Sequence, residues 1–231
     1  MIKKNRVIAV IPARAGSKTI IDKNVTLLAG KELIGWTIEA AKSSKYIDRV
    51  IVSTDGKKIS EVANRFGAEV YVRPKHLSQD SSLVIDCLRN LISRLKREKE
   101  TANYLILLEP TSPLRNTKDI DLSIEKLLDF DSVATFCNAE LNPHRAWKIK
   151  GNTVEPFING AIPWLPRQQL PEAFQLNGAV YGFRIDKLPI DGQSIIFGNI
   201  AAIKMPIERS IDIDSMIHLK MAEHIIRGKN D

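Results

Sequence analysis

Hydrophobic and polar positions follow two periods along this chain. Val7-Ile8-Ala9-Val10-Ile11 is an unbroken apolar run rich in β-branched residues, the pattern of a strand buried on both faces, and it ends at Pro12. Leu33, Ile34, Ile38 and Ala41 then share one side of a helix predicted near 32–43. A second strand is predicted over Arg49 to Asp55. Ile59, Val62, Ala63 and Phe66 recur at i, i+3, i+4 and i+7, an amphipathic helix closed by Gly67. Ala68 to Val72 predicts a third strand, and Val84, Ile85, Leu88, Leu91, Ile92 and Leu95 a helix over about 83–97. Tyr104 to Leu108 predicts a central strand. Asn116 or Thr117 caps a helix through Ile120, Ile124, Leu127 and Leu128, and Ser132 to Phe136 is a further strand. Strand and helix in alternation predict an α/β fold, a largely parallel sheet covered by helices.

Between about 138 and 176 the alternation fails. Pro143, Pro156, Pro163, Pro166 and Pro171 break the segment into short pieces that carry Trp147 and Trp164. This predicts an insertion or interface element within one domain spanning 1–231. Gly178 to Arg184 and Ile200 to Met205 restore strands, and a last helix over about 215–227 follows Asp212-Ile213-Asp214.

The 231 residues are 44% hydrophobic and 26% charged, ordinary for a globular protein. A net charge of +7 favours anionic partners, from nucleotides to nucleic acid. The densest basic run, Arg94 to Lys99, is interrupted by Glu98 at a helix end and reads as a solvated face, not a nucleic-acid patch. Cys87 and Cys137 have no CxxC spacing and read as reduced core thiols. No apolar run approaches the ~18 residues of a membrane span, and the first strand leaves no room for a leader, so a cytoplasmic protein is expected. His76, His144, His218 and His224 show no metal-ligand spacing, with His224 expected on the surface of the last helix.

Ligands in open α/β sheets bind beyond the carboxyl ends of the strands. Polar clusters recur there: Arg14, Ser17, Lys18, Lys23 and Asn24 around Gly16, then Ser53-Thr54-Asp55, then Glu109 to Arg115. Cations beside small residues suit a polyanion such as a triphosphate. No GxxxxGK[ST] and no GxGxxG is present, which excludes a P-loop and argues against a dinucleotide dehydrogenase. In an extended Asp212-Ile213-Asp214 both carboxylates project to one face with Ile213 turned inward. That arrangement suits Mg²⁺, and equally an N-cap by Asp214; both roles are compatible.

The ordered set of motifs resembles the acylneuraminate cytidylyltransferases. It comprises Ile11-Pro12-Ala13-Arg14-Ala15-Gly16-Ser17-Lys18 with Lys23-Asn24, Val52-Ser53-Thr54-Asp55, Arg73-Pro74, Leu77 to Ser82, and Pro110-Thr111-Ser112-Pro113-Leu114-Arg115. Arg167-Gln168-Gln169-Leu170-Pro171, Asn177-Gly178-Ala179-Val180-Tyr181 and Asp212-Ile213-Asp214 complete it. The resemblance implies a three-layer α/β fold of nucleotide-diphospho-sugar transferase type, with 138–176 as a small dimerisation element and the chain a homodimer. It implies transfer of CMP from CTP to the anomeric hydroxyl of a nonulosonic acid, a nine-carbon α-keto acid sugar such as sialic acid, with Mg²⁺ and release of pyrophosphate. Nucleic acid and membrane are not expected partners.

Carried over by motif, Arg14, Ser17, Lys18 and Lys23 would hold the triphosphate, with Asn24 beside the nucleotide. Arg73 and Ser82 would contact cytidine, Arg167 and Tyr181 the sugar acid, and Asp212 and Asp214 the metal. Arg14, Lys23 and Asp212 are the catalytic candidates. Three positions depart from the family pattern. Thr19 stands where Gly usually follows Lys18, which suggests a less tightly folded loop. Glu109 replaces a sugar-facing Gln, adding charge near an acidic substrate. Arg145 stands near a usual Lys and suits a planar carboxylate clamp, reaching into a neighbouring subunit's site. These leave the sugar open, with legionaminic acid a candidate. The stretch 185–200, including Ile195-Ile196-Phe197, is a further candidate for an apolar side of the sugar pocket. The alternatives are a CMP-Kdo-type cytidylyltransferase, which would carry a second Arg at Lys18, and a basic non-catalytic nucleotide- or RNA-binding protein.

Overall fold

The structure, a computed structural model, describes residues 1–228. The chain runs β1 (Val7–Pro12), β2 (Leu27–Leu28), β3 (Lys31–Glu32), α1 (Leu33–Lys42), β4 (Arg49–Thr54), α2 (Lys57–Arg65), β5 (Glu69–Val72) and α3 (Val84–Arg97). It continues with β6 (Tyr104–Leu107), α4 (Thr117–Lys126), β7 (Ser132–Asn138), β8 (Trp147–Lys150), β9 (Thr153–Pro156), β10 (Phe174–Arg184), β11 (Ile200–Lys204) and α5 (Met216–Arg227).

Seven strands form one sheet in the order β11-β7-β10-β6-β1-β4-β5. β1 pairs in parallel with β4 on one side and β6 on the other, while β10 runs antiparallel to both β6 and β7. The chain leaves β1 towards β4 and β5 and returns on the other side of β1 as β6. The cleft beyond the carboxyl ends of β1 and β6 is therefore the point where strand order reverses, the usual ligand position in such sheets.

Strand alternation sorts the core into two layers. Val7, Ala9 and Ile11 face α1, α2 and α4 through Ile34, Ile38, Ile59, Val62, Ile120 and Ile124. Ile8 and Val10 face α3 through Leu88, Leu91, Ile92 and Leu95. Each such side chain, removed from water, contributes about 1.5–3 kcal/mol before the entropy of ordering is set against it. Asn116 caps α4 with a reciprocal box: its side chain accepts from Asp119 N at 3.0 Å, and its own N–H donates to Asp119 Oδ2 at 2.9 Å.

A third cluster lies at the top of the sheet. Ile20, Leu28, Leu33, Leu114, Ile213, Leu219 and Ala222 bury one another and dock α5 against the loop after β1. The segment 139–173 projects between β7 and β10 and holds the β8–β9 hairpin, whose four residues in β8 are all exposed. Ile195, Ile196 and Phe197 pack on the α3 side of the sheet, Phe197 with its ring centroid 5.6 Å from that of Phe183. Phe183 pairs with Leu105 near the amino end of β6, so this cluster lies away from the cleft beyond the carboxyl ends of β1 and β6.

Candidate active site

Pro12 closes β1 opposite Ser53, and the next residue, Ala13, donates its N–H to Ser53 O at 2.9 Å. Ala15 N donates to Asp55 Oδ1 at 2.8 Å, and Asn24 Nδ2 to Arg14 O at 3.1 Å. The loop is thus fixed by its own backbone. Gly16 takes φ +76°, a left-handed conformation that costs glycine little. The non-glycine left-handed residue of this loop is Asp22 at φ 53°, not Thr19, so Thr19 does not strain it. Asp22 Oδ2 also accepts from Lys58 Nζ at 2.6 Å.

Arg14, Ser17, Lys23, Asn24, Arg73, Ser82 and Glu109 line one cavity of about 240 Å³. Six of the seven nucleotide-binding candidates therefore share it. Lys18, the seventh, is largely exposed and reaches the cavity wall through Asp80 Oδ2 at 2.5 Å. Arg73 is buried, with Nη2 donating to Ser53 O at 2.8 Å and Nε to Ser53 Oγ at 3.3 Å; burial holds its guanidinium below its ordinary value. The Ser53-Thr54-Asp55 cluster thus braces Arg73 and the β1 loop, while Thr54 Oγ1 accepts from Gly56 N at 3.0 Å. Sequence reasoning placed Ser53 and Asp55 in a cluster at the sheet edge and Asp80 within a motif but gave none of them a partner, because their partners lie in other loops.

At the far end of the cleft Lys23 meets Asp214. Lys23 Nζ donates to Ile213 O at 2.9 Å and lies 3.0 Å from Asp214 Oδ1, and Ile213 N donates to Thr111 O at 2.7 Å. Ile213 is fully buried as expected. The cap of α5 is Ser215, not Asp214: Ser215 accepts from His218 N, and Asp214 is exposed towards Lys23. Asp212 Oδ1 is buried and, among the described residues, has no hydrogen-bond partner.

Glu109 stands beside this pair. Burial first, then the charges of Asp212 and Asp214, push its carboxyl up to about 7 against the pull of Arg115 and Lys23. Burial and the same Glu109 and Asp212 charges push the Tyr181 hydroxyl up to about 12. Both shifts register burial first and the neighbouring carboxylates second. An orphaned carboxylate oxygen at such a place fits a divalent cation. No three His, Cys, Asp or Glu side chains among the described residues form a metal cage. The fit is to an ion held by one or two carboxylates that keeps positions for water and substrate, the habit of Mg²⁺ rather than of structural zinc.

Arg115 supports this end from below. It is buried, donates from Nε to Ala179 O at 2.6 Å and from Nη1 to Thr37 Oγ1 at 2.7 Å, and also donates to the Glu109 carbonyl. Asn177 accepts from Thr135 Oγ1 at 2.6 Å and donates to Ser210 Oγ at 2.9 Å, joining β7, β10 and the segment before Asp212. Gly178 has φ +68°, and a Cβ there would lie 3.1 Å from Ser112 Oγ and 3.4 Å from Glu109 Oε2.

Arg145 and Arg167 are brought together, but elsewhere. They line a separate cavity of about 460 Å³ between Asn138 and Ala173, and Arg145 Nη2 donates to Leu165 O at 2.9 Å. The four sugar-binding candidates thus divide within one chain: Glu109 and Tyr181 beside Asp212, Arg145 and Arg167 in the projecting segment.

Comparison with known proteins gives this geometry its context. The model of a family described as Cytidylyltransferase matches residues 8–195. The chain belongs to the cytidylyltransferase family. It is 34% identical over 226 residues to a CMP-N,N'-diacetyllegionaminic acid synthase of Legionella pneumophila, covering 96% of each chain. A pseudaminic acid cytidylyltransferase of Campylobacter jejuni is 30% identical over 227 residues, 97% of each chain. In fold it is similar to a CMP:2-keto-3-deoxy-manno-octonic acid synthetase complexed with CTP, with a TM-score of 0.71 at 16% identity, covering 97% of this chain and 100% of that one. The chain is accordingly a nucleotidyltransferase, with the three-layer α/β sheet expected of one, and the reading as a non-catalytic nucleotide- or RNA-binding protein falls away.

Proposed function

We propose that this cytidylyltransferase activates a nonulosonic acid of the legionaminic or sialic type, using CTP to form the CMP-sugar and pyrophosphate. The observation that carries this reading is the sequence of cations, aspartates and Glu109 along one cleft at the strand-order reversal. Full-length similarity to a diacetyllegionaminate enzyme supports the sugar class. The Kdo alternative has similarity of fold at 16% identity behind it, and Lys18 where that family carries a second Arg.

Arg14, Ser17, Lys18 and Lys23 hold the triphosphate, with Asn24 beside the nucleotide and Arg73 and Ser82 at the cytidine. Attack on the α-phosphate gathers negative charge on its oxygens and on the leaving pyrophosphate. Lys23, already held by the Ile213 carbonyl, meets that charge preorganised, and Arg14 and Lys18 add two further cations. Asp212 and Asp214 would hold Mg²⁺, which supplies Lewis-acid neutralisation of phosphate oxygens when bound. Asp212 accepts the proton leaving the anomeric hydroxyl, directly or through water. Glu109 and Tyr181 orient the sugar, and Glu109 accepts hydrogen bonds from its N–H or O–H groups.

The exposed apolar side chains Trp147, Ile149, Val154, Phe157, Ile162 and Trp164 cluster in one projecting segment, an excess of surface that suits pairing with a second copy. In such a homodimer Arg145 and Arg167 would meet the acidic sugar from the neighbouring subunit. Two buried free thiols suit a reducing, cytoplasmic setting, and no helix among the described residues is long and apolar enough to cross a membrane.

The deciding experiment measures pyrophosphate release with ATP, GTP, UTP and CTP, each crossed with N-acetylneuraminate, diacetyllegionaminate and Kdo, with and without Mg²⁺. Turnover is expected with CTP and a nonulosonic acid, dependent on Mg²⁺. Absence of CTP-dependent turnover with every sugar would sink the reading.

A further inference from the structure

Asp80 bridges two cations inside the nucleotide cleft. Its Oδ1 lies 2.6 Å from Arg14 Nη1, and its Oδ2 lies 2.5 Å from Lys18 Nζ. Each carboxylate oxygen takes one donor, the arrangement in which a phosphate group would engage the same pair. Lys18 and Arg14 hold the Asp80 carboxyl below its ordinary value, so it is a full anion at neutral pH.

The segment that carries Asp80 is braced within itself. Ser82 Oγ donates to His76 O at 3.1 Å and accepts from Gln79 N at 3.1 Å, and Cys87 Sγ lies 3.3 Å from Leu77 O. Among the described residues, the polar contacts from the tip at 78–82 to the loop at 13–18 are the two that Asp80 makes. Breaking them leaves the tip held by its own bonds alone, which then open more often.

We infer that Asp80 is a built-in competitor for the triphosphate, holding Arg14 and Lys18 until an incoming polyphosphate displaces it and releases the 78–82 tip. The inference rests on the proposed role of Arg14 and Lys18 as phosphate ligands. Nucleotide binding is then an exchange of one anion for another, and its net strength is the difference between the two. The cleft stays neutralised in the free protein, which discourages weak anions and lets a triphosphate through. Ser82, the proposed cytidine contact, sits two residues from Asp80 on the same braced tip, so release at the phosphate end repositions the cytidine end.

The test is equilibrium binding of CTP and of inorganic tripolyphosphate to the wild-type protein, Asp80→Asn, Asp80→Ser and Asp80→Glu at low fixed salt, with thermal melting of each. Losing the two partly exposed contacts is expected to tighten both ligands by about three- to tenfold in Asn and Ser variants, with Glu near wild type. The gain shrinks as salt rises. Backbone amides at 78–82 are expected to exchange faster in wild type with tripolyphosphate, and in Asp80→Asn without it. Tripolyphosphate binding that is unchanged or weaker in folded Asn and Ser variants overturns the competitor role; unchanged amide exchange overturns the release of the tip. Tripolyphosphate lacks a base and is not turned over, so a tighter Asp80→Asn alongside absent CTP turnover would leave this inference standing and reject the cytidylyl reading.

Discussion

Lys23 Nζ lies 3.0 Å from Asp214 Oδ1, joining residues 191 positions apart in the chain. The same ammonium donates to the Ile213 carbonyl, and its side chain is only 14% exposed while that of Asp214 is 66% exposed. A cation from the loop after β1 is thereby delivered to the acidic end of the cleft. It ties the proposed triphosphate site to the proposed metal site, with a backbone carbonyl fixing its position.

Removing Lys23, or Asp212 two residues before Asp214, separates chemistry from folding. Lys23→Met and Asp212→Asn are each expected to lower kcat by about a hundredfold or more, as loss of a preorganised charge does. Melting temperatures should stay within a few degrees of wild type, because Ile213 keeps its burial and its bond to Thr111. Near-normal kcat in Asp212→Asn would remove Asp212 from the mechanism.

Glu109 predicts an unusual dependence of stability on pH. Its folded value of about 7 lies above the ordinary carboxylate value, so between the two the folded state binds the extra proton. The stabilisation is complete below the unfolded value and is lost as pH rises through the folded one, amounting to about 3 kcal/mol. Urea unfolding in EDTA should show ΔG falling between about pH 4 and 7 in wild type, and Glu109→Gln should flatten that slope. The same variant is expected to change preference among sugars more than the KM for CTP. Equal effects on both would take Glu109 away from the sugar.

Arg115 is a buried cation with three acceptors on three segments. Arg115→Met leaves the Ala179 and Glu109 carbonyls without that donor and should cost about 3–5 kcal/mol in urea unfolding. Arg115→Lys, a point charge without the planar fork, should recover only part of it. A loss below about 1 kcal/mol in the Met variant would mean the network contributes little.

The projecting segment makes a prediction about assembly. Trp147 and Trp164 pack with ring centroids 6.1 Å apart, yet Trp164 remains 82% exposed. Trp164→Glu should convert a dimer to a monomer in light scattering after size exclusion, with the melting transition of the sheet domain retained. A wild-type protein that is monomeric at micromolar concentration would reject the pairing surface.

Element order was legible because it depends on local periodicity. The β-branched run at 7–11 and the i, i+3, i+4, i+7 set from Ile59 to Phe66 form the strand and helix their spacing predicts. The direction of β10 was not legible, since Gly178 to Arg184 looks alike in a parallel and an antiparallel place. Its pairing with β6 and β7 depends on where the 139–173 segment returns the chain. Likewise, Asp214 and Ser215 are both good caps by type, and geometry chose Ser215 because Asp214 turns to Lys23.

The sequence by itself determined the α/β alternation, the cation loop after β1, the family motifs and the inward turn of Ile213 between two aspartates. Each follows from spacing or residue type within a few positions. Only the tertiary structure decided that Asp80 sits between Arg14 and Lys18, that Glu109 is pushed up to about 7, and that Arg145 and Arg167 lie in a cavity apart from Tyr181. Those outcomes depend on charges and burial contributed by segments far apart in the chain, and through-space electrostatics leaves no periodic trace in the order of residues.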